Sequence, residues 1–179
     1  MKSGYSKWRK LDNAALAFPP ATDKNDTRVF RMYCELTEEI SPQILQDALD
    51  RTMEKYPLFQ VVLRKGLFWF YLERRDIRAV AKEEKKPPCS RLYIPDKKSL
   101  LFEVSYYENR INFEVYHALT DGTGARNFLQ ELVQNYLLLR HPEAGLPHIK
   151  TEEKATFRDH EEDSCLLYTS PSPRDRSVS

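Results

Sequence analysis

At 179 residues, with 41% apolar and 31% charged side chains, the chain is long enough for one domain with a sizeable core. A formal net charge of +1, with no unopposed block of Lys or Arg, excludes a phosphate-tracking nucleic-acid surface. No apolar run has the length of a transmembrane span, and Asp12 and Asn13 interrupt the one segment that resembles a signal peptide, so a cytoplasmic protein is expected.

Trp8 to Phe18 reads as a short, partly apolar lead-in, and Pro19 to Asp26 as a loop by its turn residues. Thr27 to Leu36 reads as a strand, although Val29, Met32, Tyr33 and Leu36 do not alternate cleanly. Ser41 and Pro42 announce a helix: serine favours the N-cap and proline the first turn. Ile44, Leu45, Ala48, Leu49 and Met53 then form one apolar stripe, which Pro57 ends. Leu58 to Arg75 predicts two strands around Lys65 and Gly66. Lys82 to Ser90 reads as a solvated loop whose charges need no partner.

Leu100 to His117 predicts a hairpin turning at Glu108, Asn109 and Arg110. Ile111, Phe113, Val115 and His117 share one face of its second strand; Asn112, Glu114 and Tyr116 share the other. The first face is the apolar one, which directs His117 inward. Asp121 then opens a long amphipathic helix with Ala125, Phe128, Leu129, Leu132, Val133, Tyr136 and Leu137 on its buried stripe. From His141 to Asp163 the chain is polar with little periodicity, as in a linker or crossover.

The chemistry-bearing residues concentrate in VYHALTDGTG, Val115 to Gly124. A histidine at a strand's C-terminal end stands where a rigid sheet hands residues to a site. Spacing leaves a plainer alternative open: Asp121 as an N-cap, Gly122 and Gly124 as turn residues, and His117 as a core histidine bonded to a backbone carbonyl. His141, His148 and His160 lie in the polar stretch and default to the surface. No third ligand joins His117 and Asp121 at a zinc-like spacing, so no metal is expected. Cys34, Cys89 and Cys165 have neither metal-cluster nor disulfide spacing and read as idle thiols.

YHALTDG resembles the H-x-x-x-D-G signature of the superfamily that contains chloramphenicol acetyltransferase, peptide-synthetase condensation domains and alcohol acetyltransferases. Many members carry a second histidine just before the catalytic one; Tyr116 occupies that place here. WRKLDNAALAFP, ISPQILQDALDRTMEKYPLFQVVLRKGLFWFYLE and GTGARNFLQELVQNYL occur in the order seen in the alcohol acetyltransferase branch, so the likeness runs from Trp8 to Arg140. It implies an α+β fold: the first subdomain of a chloramphenicol acetyltransferase-like protein, a mostly antiparallel sheet flanked by helices. It implies an acyltransferase in which His117 is the general base, suited by an imidazole pKa of about 6.5. Asp121 and Gly122 would support the site, Asp121 by pairing with an arginine and Gly122 by letting the backbone turn closely.

The implied donor is an acyl-CoA, acetyl-CoA above all, used as a substrate with no bound cofactor. The acceptor is a small hydroxyl- or amine-bearing molecule. Amide formation, as in condensation domains, or a non-catalytic binding module on the same fold are the alternatives.

The expected layout is residues 1–140 as the acyltransferase-like subdomain and 141–164 as a truncated polar linker. In the remaining 165–179, CLLYTSPSPRD resembles the translation of a transposase end joined to a sequencing adapter. A C-terminal subdomain of the same protein is the expected missing partner.

Overall fold

The computed structural model describes residues 8–11, 17–23, 26–94 and 97–149; most of the expected 141–164 linker and all of the 165–179 tail lie outside them, with His160 and Cys165. In chain order the elements are β1 (Trp8–Lys10), α1 (Phe18–Ala21), β2 (Val29–Glu35), α2 (Pro42–Lys55), β3 (Val61–Lys65), β4 (Phe70–Arg74), β5 (Lys82–Glu83), β6 (Phe102–Tyr107), β7 (Arg110–Tyr116) and α3 (Gly122–Arg140). The architecture is α+β: a four-stranded sheet in the order β2-β7-β6-β5 and a three-stranded sheet in the order β1-β4-β3. All pairings are antiparallel except that of β5 with β6.

The hairpin of β6 and β7 sets the centre of the larger sheet. Its register pairs Phe102 with Val115 and Val104 with Phe113, so all four apolar side chains leave the same face. Helices α2 and α3 cover that face. Leu45, Ala48, Leu49 and Met53 from one, and Ala125, Phe128, Leu132 and Tyr136 from the other, complete a single apolar cluster with the strand residues. Ring packing organises its centre: Phe128 stacks on Phe113 at 4.5 Å and on Phe59 at 4.8 Å.

The helix starts follow the sequence in part. Pro42 does occupy the first turn of α2, but the Ser41 hydroxyl makes no capping bond; its backbone N–H donates to the Tyr136 hydroxyl at 2.9 Å instead. Between the helices, the buried Asn135 amide donates to Thr52 Oγ1 at 3.0 Å, and Lys55 pairs with the buried Glu131 at 2.8 Å. In the smaller sheet, the Gly66 N–H donates to Trp69 O at 2.7 Å. A Cβ at Gly66 would meet that same oxygen at 2.9 Å, so the β3–β4 turn requires glycine.

The opposite face of β7 is also buried, which corrects the expectation of a solvated loop over residues 82–90. Lys82 and Glu83 form β5, and Glu84 enters a polar network. Arg31 bonds Glu84 at 2.6 Å and Glu114 at 2.9 Å, Arg110 bonds Glu84 at 3.0 Å, and Asn112 donates to Glu84 at 3.1 Å. Glu114 also accepts the Cys89 N–H at 2.6 Å. Further along the same face, Tyr116 joins Leu11, Leu63, Leu72, Tyr93 and Leu101 in a second apolar cluster, against the smaller sheet.

Burial alone works to raise the Glu84 carboxyl, but hydrogen bonds from Arg31 and Arg110, with their charges, hold it below the ordinary glutamate value. A carboxyl depressed in the folded state adds stability above the unfolded pKa of about 4.3 and loses it as pH falls through the folded value. Glu84→Gln is therefore expected to cost about 1.5–3 kcal/mol at pH 7, the scale of hydrogen bonds to charged groups. The gap from wild type should narrow below about pH 4. Urea unfolding at pH 7 and pH 3 checks this; an equal gap at both would show that the Glu84 charge contributes nothing.

Candidate active site

β7 pairs with β2 as far as Tyr116 opposite Val29, and the chain then leaves the sheet. The Leu119 N–H closes a turn onto Tyr116 O at 2.8 Å, and the His117 N–H donates to Arg28 O at 2.9 Å. His117 is consequently exposed, which corrects the expectation that it points into the core. The alternation that places Ile111, Phe113 and Val115 inward stops one residue before it.

The imidazole is nonetheless held. The Phe18 ring, from α1, stacks on it at 5.1 Å with an interplanar angle of 18°, and Phe30, from β2, lies against it at 4.6 Å and 44°. Phe30 packs at the edge of the helix-side cluster and Phe18 at the edge of the second one. The ring therefore bridges the rims of both cores. Among the described residues neither imidazole nitrogen has a hydrogen-bond partner, so the carbonyl partner that a core histidine needs is missing. An exposed, clamped imidazole with free nitrogens can accept a proton from a molecule arriving from solvent.

Asp121 follows at the start of α3. Its carboxylate Oδ1 accepts the Gly124 N–H at 2.8 Å, the geometry of an N-cap. Among the described residues no arginine pairs with it. Just before it, the buried Thr120 hydroxyl has no partner among the described residues.

No family description matches the chain, and no curated protein sequence does. Solved structures do match. A mutant starter condensation domain of rhizomide synthetase RzmA, in complex with C8-CoA, superposes with TM-score 0.63 at 12% identity, over 76% of this chain and 37% of that one. The first condensation domain of the calcium-dependent antibiotic synthetase, with a substrate analogue, gives TM-score 0.58 at 14% identity over 81% and 40%. Polyketide synthase associated protein 5 from Mycobacterium tuberculosis gives 0.56 at 19% identity over 84% and 38%.

The described residues share the fold of part of these condensation domains. The chain spans 37–40% of the length of these three structures.

Within the condensation-domain fold, Gly122 has no packing reason to be glycine. Among the described residues a Cβ there would meet Met32 Cε alone within 4 Å, at 3.9 Å, an ordinary contact. Gly122→Ala is expected to leave the melting temperature unchanged or slightly raised, since alanine suits a helix better by up to about 1 kcal/mol. Thermal unfolding checks this; a fall of several degrees would show a packing role for Gly122.

His141 lies 3.4 Å from Glu38, and His148 lies 3.4 Å from Glu131; neither pair involves His117 or Asp121. Among the described residues no group of His, Cys, Asp and Glu could hold a metal ion, and no helix is long and apolar enough to cross a membrane. Cys34 and Cys89 are free, and burial, the largest influence on each, raises both thiols above their ordinary value, away from the reactive thiolate. Phe18, Phe30 and Thr22 carry no sequence signal for this placement beyond AFPPAT, which sets an aromatic next to two helix-starting prolines.

Proposed function

We propose that the chain carries the general-base half of an acyl-CoA-dependent acyltransferase, with His117 as the base. The observation that carries this reading is the exposed imidazole at the exit of the central strand, clamped between Phe18 and Phe30, with no hydrogen bond to either nitrogen among the described residues. That a structural neighbour was solved with C8-CoA supports an acyl thioester as donor.

His117 removes the proton from the acceptor's O–H or N–H as its lone pair attacks the thioester carbonyl carbon. The tetrahedral oxyanion collapses, the C–S bond breaks, and the imidazolium returns the proton to the departing thiolate. No covalent acyl-enzyme forms. Asp121 holds the start of α3 and the turn that leads to it; Gly122 leaves room beside the site. Acetyl-CoA and an alcohol are the proposed substrate pair. Amide formation with an amine acceptor is the alternative reading, and two of the structural neighbours are condensation domains.

The reading places the second wall of the site in a C-terminal subdomain of the same cytoplasmic protein, with 141–164 leading toward it and 165–179 as adapter-derived sequence. The 179-residue chain alone should then release thiol from acyl-CoA no faster than buffer, because positioning both substrates supplies much of the rate. The complete protein should transfer the acyl group to alcohols, to amines, or to both. Turnover by the isolated chain at the rate of the complete protein would refute the two-walled site.

A further inference from the structure

We propose that Tyr116, which stands where many relatives of the motif carry a histidine, is a positioning residue that holds the His117 ring in place through Thr22 and Phe18. The role rests on the reading of His117 as the base, but its physical basis is separate. The Tyr116 ring is fully buried in the second cluster, and its hydroxyl lies 2.7 Å from Thr22 Oγ1. The Thr22 hydroxyl gives its one proton to Phe18 O, also at 2.7 Å. Tyr116 is therefore the donor of the first bond, and a directed chain runs from the Tyr116 phenol to Thr22 and on to the Phe18 carbonyl.

The Phe18 ring is the one that stacks on His117. Helix α1 has only four residues, too few to be stable without tertiary anchors. Among the described hydrogen bonds, the one from Tyr116 to Thr22 joins this segment to β7. Tyr116 thus acts on its neighbour twice. Its backbone, bonded to Leu101 O at 2.8 Å, ends the strand where His117 departs, and its hydroxyl fixes the aromatic plate against which the imidazole lies.

Burial, the largest influence on Tyr116, raises its phenol above the ordinary value. The hydroxyl therefore stays protonated as a donor across the neutral range.

Tyr116→Phe removes the first bond and keeps the ring. Thr22→Val breaks the chain at a residue outside the core, and Thr22→Ser restores it. Carbon–proton spectra of the histidine-labelled chain, with the His117 signals assigned by their loss in His117→Gln, read the ring-current shift from Phe18. We expect Tyr116→Phe and Thr22→Val each to reduce that shift, and Thr22→Ser to keep it. In the complete protein the first two should lower kcat about tenfold with KM for acyl-CoA unchanged, as expected for a misaligned base. Unchanged His117 signals in both Tyr116→Phe and Thr22→Val would overturn the proposal, whatever the activity. Shifted signals with unchanged kcat would support the positioning and count against His117 as the base.

Discussion

His117→Ala is expected to lower kcat of acyl transfer by about 10²–10⁴-fold in the complete protein, the usual contribution of a positioned general base. Stability should change little, by about 1 kcal/mol or less, because the ring is exposed and outside both apolar clusters. These two expectations together separate a base from a packing residue. A histidine that merely wedges between Phe18 and Phe30 would lose stability on truncation and leave turnover per folded molecule intact. Paired urea unfolding and steady-state thiol release decide between them. A folded His117→Ala protein with wild-type kcat would remove the imidazole from the chemistry.

Phe128→Ala should be the most damaging substitution to the fold, at about 3–5 kcal/mol. The ring is fully buried and meets four others: Phe113 and Phe59 in stacks, Tyr56 at 5.2 Å and Phe102 at 5.4 Å in inclined contacts. Those rings come from α2's end, the turn after it, and both central strands. Truncating Phe128 leaves a void that none of these elements can fill alone. Against a typical domain stability of about 5–15 kcal/mol, the loss consumes a large share. Denaturant midpoints measure it; a loss below about 1 kcal/mol would mean that this aromatic cluster is not the organising core.

Local periodicity explains which parts of the fold were legible. The stripes of α2 and α3 and the β6–β7 hairpin follow from apolar spacing within one segment, and each formed within a few residues of its expected bounds. Strand β1 was not legible, because its pairing with Tyr71, Leu72 and Glu73 on β4 depends on a distant segment. The run KEEKK gives no sign that Glu84, unlike its lysine neighbours, turns inward to Arg31 and Arg110. A solvated charge and a paired one are the same letter.

For the candidate site the sequence shows the same limit. His117, Asp121 and Gly122 stand in the motif, but alternation carried one residue too far and put His117 in the core. What ends the strand is the limit of pairing with β2 and the turn closed by Leu119, neither visible in a two-residue period. The aromatic clamp was illegible for the same reason as β1: Phe18 and Phe30 reach His117 only through the folded chain.

Thiol release from acetyl-CoA by the complete protein, with and without an alcohol or amine acceptor, tests acyl transfer at His117 most directly. Release should depend on the acceptor, match the acylated product one for one, leave no acyl group on the protein, and disappear in His117→Ala. Stoichiometric thiol release without acceptor, leaving an acylated protein, or equal turnover with and without the imidazole, would contradict direct transfer by a histidine base.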